Sequence, residues 1–156
     1  MPTRVLFVCL GNICRSPLAE GVFRQKVHEH GLDDQFEIDS AGTGAWHAGE
    51  APDARMRETA RRHGVSIDEQ RARQLVSADL SRYDHIFVMD RSNLRNAQAL
   101  DRSGRHAGKI RLFRDFDPNP GDRNVPDPYY GGADGFETVY QIVDRTSEAL
   151  LRELSE

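Results

Sequence analysis

The residues best suited to chemistry lie near the N-terminus of this chain, in the segment VCLGNICRSP from Val8 to Pro17. Cys9 is a nucleophile, and Arg15, six positions later, is a fixed cation whose planar guanidinium group matches two oxygens of a phosphate. A loop that leads into a helix presents unpaired backbone N–H groups, and the helix dipole adds positive potential. Such an environment favours a thiolate, the form of cysteine that attacks. The segment therefore predicts nucleophilic chemistry on a phosphate-like anion.

The remaining residues of the loop strengthen this prediction, because a Cys and an Arg at this spacing alone are a weak signal in an arginine-rich chain. Gly11 permits a close or unusual backbone turn, and Asn12 tolerates left-handed dihedral angles. Ser16 either donates its hydroxyl to the Cys9 sulfur or caps the helix that Pro17 begins, and the two roles are compatible. The residues predicted to bind phosphate with Cys9 and Arg15 are Leu10, Gly11, Asn12, Ile13, Cys14 and Ser16.

Apolar segments typical of buried strands alternate with segments of helical periodicity along the chain. The predicted strands are 4–8, 36–39, 85–89 and 109–113. The first predicted helix begins at Ser16-Pro17 and is capped by Gly31, and the others are 53–63, 92–100 and 133–154, with 40–44 a turn-rich exit and 115–135 a long Pro-rich loop. This order favours an α/β fold with a four-stranded parallel sheet, helices on both faces and a Rossmann-like βαβ start. The loops that follow the strands then meet at one edge of the sheet, where ligands bind in such folds.

Composition limits the possible classes of protein. A chain of 156 residues with 38% hydrophobic residues suits a single domain spanning 1–156. A net charge of −4 argues against nucleic acid and anionic membranes as partners. No apolar run is long enough for a membrane span or a signal peptide, so we expect a cytoplasmic location, with export by another route left open. The chain has two cysteines, both in the loop, so we predict no metal site and no disulfide framework.

Several motifs resemble those of the low-molecular-weight protein tyrosine phosphatases, in the form found in bacteria. The matching segments are VCLGNICRSP at 8–17, SAG at 40–42, RARQ at 71–74, MDRSNL at 89–94 and DPYY at 127–130. The resemblance covers essentially the whole chain and implies hydrolysis of protein phosphotyrosine through a phosphocysteine intermediate, without a cofactor. It implies that Cys9 is the nucleophile, Arg15 the phosphate clamp, Ser16 the thiolate partner, and Asp127 the general acid and then the base.

Aromatic residues are predicted to form the substrate pocket. Trp46 is the only tryptophan and lies in a Gly-rich loop, which favours a substrate-facing role. Tyr129 and Tyr130 follow Asp127, and they either wall an aryl pocket or serve in packing. His47 is a further candidate for the pocket wall, its alternative being an ordinary hydrogen-bonded surface histidine.

The resemblance also implies roles for residues around the loop. Cys14 matches the second loop cysteine that traps the oxidised nucleophile in a reversible disulfide, its alternative being a small buried residue. Asn12, Ser16 and Ser40 resemble a hydrogen-bonded brace that many members complete with a histidine, where this chain has Gln70. We expect Gln70 to preserve the brace. Asp90 either helps to fix the loop or caps the helix that follows it.

Three other functions are compatible with parts of the pattern. Protein arginine phosphatases of the same family carry Thr where this chain has Ile13, and the bulkier apolar side chain favours an aryl phosphate. Thioredoxin-coupled arsenate reductases need further cysteines, and none follows Cys14. A non-hydrolytic phosphocysteine carrier, or a module that only binds phosphate, would need no general acid. The predicted partner is a phosphotyrosine protein, with a bacterial tyrosine kinase as one candidate.

Overall fold

The computed structural model describes residues 1–130 and 132–155, apart from the side chains of Tyr130 and Ala133. These residues form four strands and five α-helices, with one helix after each strand except the second, which is followed by two. The strands are β1 (Thr3–Cys9), β2 (Phe36–Gly42), β3 (His85–Val88) and β4 (Ile110–Leu112). The α-helices are α1 (Arg15–Glu29), α2 (Ala54–Arg62), α3 (Ser77–Arg82), α4 (Arg91–Leu100) and α5 (Ala133–Leu154).

The strands form a parallel sheet in the order β2-β1-β3-β4, which confirms the predicted fold class. Side chains alternate between the two faces of a strand, so Val5, Phe7 and Cys9 of β1 share one face. That face packs against α1 and α5, and Leu6 and Val8 lie in a second apolar cluster on the opposite face. Helices therefore cover both faces, and Cys9 leaves the sheet on the side of α1.

The strand β2 is longer than predicted, because the segment Ser40–Gly42 continues the sheet instead of leaving it. Ser40 pairs with Phe7 and Gly42 pairs with Cys9, so β2 extends as far as its neighbour β1. Gly42 fits here because a Cβ atom would lie only 2.8 Å from the Leu10 carbonyl oxygen. The small residues that suggest a turn instead allow the active-site loop to cross the end of β2.

The helix boundaries agree with local capping chemistry. The Asp53 carboxylate accepts a hydrogen bond from the Arg55 N–H at 2.8 Å, and Gly64 just beyond α2 has a φ of +79°. The sequence prediction missed α3, which has six residues and is too short to show helical periodicity. Within the described residues, no helix is long and apolar enough to cross a membrane.

Candidate active site

The loop between β1 and α1 turns its carbonyl groups away from its centre. The carbonyl oxygens of Cys9 and Leu10 accept hydrogen bonds from Thr43 and Gly44, both at 2.9 Å, and the Ile13 carbonyl accepts one from the N–H of Asp53 at 2.8 Å. In a trans peptide the N–H points opposite to the C=O. The N–H groups that follow these carbonyls are therefore directed inward, where α1 also begins, and they form a site suited to an oxyanion.

Asn12 fixes the shape of this loop. It has a left-handed φ of +56°, so the unusual dihedral angle occurs at Asn12 and not at Gly11. Its side-chain oxygen accepts a hydrogen bond from the Arg73 N–H at 3.0 Å, and its Nδ2 donates to Ser16 Oγ at 2.8 Å and to Ser40 Oγ at 3.0 Å. The Asn12 side chain is buried, so these bonds are shielded from water.

The Ser16 hydroxyl lies against the sulfur of Cys9, with Oγ and Sγ 3.0 Å apart. Because Asn12 donates to Ser16 Oγ, the Ser16 hydroxyl hydrogen is free to be donated in turn, either to a Cys9 thiolate at 3.0 Å or to the more distant Ala41 carbonyl at 3.4 Å. The prediction that Ser16 caps the helix is wrong: α1 begins at Arg15 after Cys14, and Ser16 lies inside its first turn. Its side chain faces the β1 strand end rather than the free N–H groups of the helix.

Glu20, which the sequence analysis did not single out, completes the brace. Ser40 donates its hydroxyl to Glu20 at 2.7 Å, and the other carboxylate oxygen accepts from Arg24 at 2.8 Å. Burial raises the pKa of Glu20, against the opposing hydrogen bonds from Ser40 and Arg24. Ser16, Glu20 and Arg24 stand four residues apart on one face of α1, but the helix carries other polar residues such as Gln25 and Lys26, so this spacing is inconspicuous in the sequence.

The prediction that Gln70 completes the brace is wrong. Its Nε2 donates to the Pro17 carbonyl at 2.9 Å, and its side-chain oxygen is buried without a partner among the described residues. The Glu20 carboxylate already accepts the Ser40 hydroxyl, and a carboxylate is a stronger acceptor than an amide. Gln70 therefore contacts the first turn of α1 and not Asn12, Ser16 or Ser40.

The Arg15 guanidinium is buried and held from two sides. Its Nη1 donates to Asp90 at 2.7 Å and to the Val125 carbonyl at 3.0 Å, and its Nη2 lies 3.4 Å from an oxygen of Asp127. Although burial acts to lower it, the pKa of Arg15 is raised, because Cys9 and the two carboxylates lie beside it. Asp90 thus contacts Arg15 beside the loop with one carboxylate oxygen. With the other it caps α4, by accepting from the N–H of Asn93 at 2.8 Å.

Asp127 stands opposite the loop at the end of the Pro-rich segment. One carboxylate oxygen faces Arg15, and the other accepts a hydrogen bond from the Tyr129 N–H at 3.0 Å. Val125, two residues earlier, donates its N–H to the Met89 carbonyl at 2.7 Å. The Val125 N–H bond to Met89, just after β3, and the Val125 carbonyl bond to Arg15 join the Pro-rich segment to the end of β3 and to α1, and the sequence analysis did not predict either bond.

A cavity of about 310 Å³ opens over the loop. Trp46 forms part of its rim with 71% of its surface exposed, and the rings of His47 and Tyr129 lie 6.3 Å apart. The Tyr130 side chain lies outside the part of the chain that the structure describes. The lining residues are Cys9, Leu10, Gly11, Ile13, Cys14, Arg15, Trp46, His47, Asp127 and Tyr129. Ten residues predicted for the site thus surround one cavity.

The two cysteines differ in environment although both are buried and free. Burial, together with the nearby Asp53 and Cys9, raises the pKa of Cys14 above its usual range. Cys14 is thus a neutral thiol, whereas Cys9 faces a hydroxyl donor and lies at the cavity floor. Among the described residues, no cluster of three His, Cys, Asp or Glu side chains is placed to hold a metal ion.

Known proteins share both this fold and this sequence. The family model of the low molecular weight phosphotyrosine protein phosphatases matches residues 4–156. A "Low molecular weight protein-tyrosine-phosphatase" of Streptomyces coelicolor is 47% identical over 158 residues, covering 100% of this chain and 96% of the relative. The solved structure of YfkJ from Bacillus subtilis superposes with a TM-score of 0.93 at 38% identity, covering 99% and 96% of the two chains. DARP, a drosophila arginine phosphatase, superposes with a TM-score of 0.89 at 32% identity, covering 97% and 98%.

The fold and the loop define an α/β protein with a cysteine at an oxyanion site. The chain belongs to the low molecular weight phosphotyrosine protein phosphatase family, as its motifs suggested. It is therefore an enzyme, a phosphatase of the hydrolase class.

Proposed function

We propose that this enzyme hydrolyses phosphotyrosine in proteins through a phosphocysteine intermediate. The observation that carries the proposal is the arrangement around one cavity: Cys9 beside the Ser16 hydroxyl at 3.0 Å, and Arg15 beside Asp127 at 3.4 Å. A nucleophile, a cation and a carboxyl group are the three groups that such a reaction needs. The function rests on these residues acting as a unit.

In the first step the Cys9 thiolate attacks phosphorus, and the bond from phosphorus to the tyrosine oxygen breaks. Protonated Asp127 gives its proton to the departing phenolate oxygen. Arg15 and the inward N–H groups stabilise the negative charge on the phosphoryl oxygens in the transition state. The products of this step are free tyrosine side chain and phosphocysteine at Cys9.

In the second step water attacks the phosphocysteine, and the Asp127 carboxylate takes up a proton from that water. The bond between sulfur and phosphorus breaks, and the thiolate leaves with inorganic phosphate as the product. The Ser16 hydroxyl donates to the departing sulfur, because Asn12 holds its oxygen at 2.8 Å and orients it. The same carboxyl group thus acts as acid and then as base.

The loss of kcat/KM caused by replacing Asp127 with asparagine is expected to depend strongly on the leaving group. We expect kcat/KM for a phosphotyrosine peptide or phenyl phosphate to fall by about a hundredfold or more, because general acid catalysis is lost. For dinitrophenyl phosphate, whose phenolate leaves without a proton, we expect a loss within about threefold. Steady-state kinetics on both esters measures the difference.

The matched control is Asp134→Asn, which removes an exposed carboxylate in the first turn of α5. It should leave the rates on both esters close to those of the unmodified enzyme. Unchanged phosphotyrosine turnover in Asp127→Asn would show that Asp127 is not the acid. Transfer of phosphate to Cys9 without turnover by the unmodified protein would instead favour the non-hydrolytic carrier. Membership in a family of hydrolases already argues against that carrier.

Ile13 supports an aryl substrate over a phosphoarginine. It contributes an apolar surface to the cavity, where a phenyl ring gains by burial, whereas guanidinium N–H groups that face Ile13 would lose water without finding an acceptor on its side chain. The likeness to DARP keeps the arginine phosphatase as the second candidate. We expect phosphotyrosine to exceed phosphoarginine in kcat/KM by at least about tenfold in peptides of one sequence, and Ile13→Thr to narrow that ratio. Faster turnover of phosphoarginine by the unmodified enzyme would reverse the assignment.

Cys14 supports a redox role for the same loop. Peroxide would oxidise the Cys9 thiolate to a sulfenic acid, and the Cys14 thiol would then displace water to form a disulfide. After peroxide and then dithiothreitol, we expect the unmodified enzyme to regain most of its starting activity. Cys14→Ser, compared with its own untreated activity, should regain little, because Cys9 proceeds to irreversible oxidation. Equal recovery in the two proteins would remove this role.

The proposed partner is a phosphotyrosine protein in the cytoplasm, and a bacterial tyrosine kinase is one candidate. The mouth of the cavity offers Trp46, exposed over 71% of its surface, to the residues that flank the phosphotyrosine. A panel of phosphotyrosine peptides, ranked by kcat/KM, would identify the preferred flanking sequence.

A further inference from the structure

An ion cluster around the buried carboxylate of Asp117 contacts the segment that leads to Asp127. The Asp117 side chain has no exposed surface, and it accepts hydrogen bonds from two arginines. Arg114 Nε donates to it at 2.9 Å, and Arg145 of α5 donates through Nε at 2.8 Å and through Nη2 at 3.1 Å. The N–H of Asn119 adds a fourth bond at 2.8 Å. Every oxygen of this buried carboxylate is therefore paired, as a buried charge requires.

Arg114 also joins the two ends of the loop from Asn119 to Asn124, an excursion of the chain between the Asp117 cluster and Val125. Its Nη1 donates to the Asn124 carbonyl at 2.7 Å and its Nη2 to the Asn119 carbonyl at 3.2 Å. The chain wraps around the guanidinium group: Gly121 has a φ of +54°, and a Cβ atom there would lie 3.5 Å from Arg114 Nη2. One planar side chain thus holds Asp117 and both ends of the excursion.

The next carbonyl along the chain belongs to the active site. Arg114 holds the carbonyl of Asn124, and Arg15 holds the carbonyl of Val125 at 3.0 Å. Asp127 follows two residues later and faces Arg15 at 3.4 Å. Two consecutive carbonyl groups are therefore held by two arginines: Arg114 belongs to the ion cluster, and Arg15 belongs to the phosphate loop.

The ion cluster is suited to hold the chain in place at neutral pH, because its carboxylate stays charged. Although burial acts to raise it, the pKa of Asp117 is held below its usual value by Arg145, the Asn119 N–H and Arg114. Arg114 is 12% exposed and Arg145 is 38% exposed, so water competes less for the bonds of Arg114. Charge-assisted hydrogen bonds in such surroundings are short and directional.

We propose that Arg114 is a positioning residue for the catalytic reaction, which holds the Asn124–Val125 segment so that the Asp127 carboxyl group stays over the phosphate loop. The inference rests on the proposed role of Asp127 as the general acid. A displacement of about 1 Å in a catalytic group costs about a hundredfold in rate. Loss of the Arg114 contacts should therefore impair proton donation to the leaving group more than attack by Cys9.

The test compares kcat/KM for phenyl phosphate and dinitrophenyl phosphate in Arg114→Gln, because kcat/KM reports the step that releases the phenol. We expect a loss of at least about thirtyfold with phenyl phosphate and less than about threefold with dinitrophenyl phosphate. Arg145→Gln is the matched control. Arg145 also donates to Asp117 and, at 3.5 Å, to the Asn119 carbonyl, but among the described residues it makes no bond to Asn124 or Val125. Arg145→Gln should lower the melting temperature and lower both rates by the same small factor.

Equal losses on the two esters in Arg114→Gln would indicate general damage and would overturn the inference. If Asp127→Asn discriminates between the esters and Arg114→Gln does not, this inference alone fails. If Asp127→Asn does not discriminate, the proposed acid is wrong, and the inference fails with it. Should Arg114→Gln not fold, Arg114→Lys is the second variant, because it keeps the positive charge beside Asp117 but cannot hold all three acceptors. We expect it to show the same difference between the two esters in weaker form. Equal losses on the two esters in Arg114→Lys would also overturn the inference.

Discussion

Replacing Cys9 with serine is expected to abolish turnover, with a loss of about four orders of magnitude or more in kcat. A serine hydroxyl remains protonated at neutral pH, and among the described residues Ser16 and not a general base stands beside position 9. Oxygen is also smaller than sulfur and reaches less far toward phosphorus. The remaining donors of the loop do not depend on the sulfur, so the variant should still bind inorganic phosphate, as calorimetric titration would show.

The matched control is Cys14→Ser, the same change five residues along the loop. Burial keeps Cys14 a neutral thiol, so it is poorly suited to attack the phosphorus of a phosphate ester, and we expect this variant to retain at least about a tenth of the turnover. Mass spectrometry of the unmodified enzyme, quenched during turnover, should find the added phosphate on the peptide that contains Cys9. Turnover that persists in Cys9→Ser and disappears in Cys14→Ser would reverse the assignment of the nucleophile.

The fold was predictable because its central strands, β1 and β3, are largely buried on both faces and therefore appear as apolar runs. The predicted segments 4–8 and 85–89 agree with β1 and β3 to within one residue at each end. The end of β2 was not predictable, since Ser40 to Gly42 has the composition of a turn. What makes it a strand is its neighbour, because pairing with β1 continues until Gly42 lies beside Cys9. Tertiary pairing here overrides local propensity.

The site was predictable where a motif places several residues in one loop, and less so where contacts join distant segments. Glu20 reads in sequence as one more charged helical residue, and only its position under Ser40 shows why it is buried. The prediction for Gln70 was wrong for the complementary reason: the Glu20 carboxylate accepts the Ser40 hydroxyl, and the Gln70 amide donates to the Pro17 carbonyl instead. The carbonyl of Val125 left no sequence signal at all, since any residue could supply it.

The hydrogen bonds of Arg15 show why arginine and not merely a positive charge is needed at this position. Nη1 donates both to Asp90 and to the Val125 carbonyl, and Nη2 faces Asp127, so one planar group connects α1 with two other segments. A bound phosphate would take the inward edge of the same fork. Lysine has a single nitrogen, which cannot occupy both edges of the fork.

Arg15→Lys is therefore expected to lower kcat/KM for phosphotyrosine peptides by about a thousandfold, because a bidentate contact to the transition-state oxygens is lost. Inorganic phosphate should also inhibit it more weakly, whereas Cys9→Ser should still bind phosphate, so the two variants separate the clamp from the nucleophile. Arg95→Lys, on the exposed surface of α4, is the control and should match the unmodified enzyme in both measurements. A loss of less than about tenfold in Arg15→Lys would mean that charge alone suffices, and the bidentate clamp would have to be abandoned.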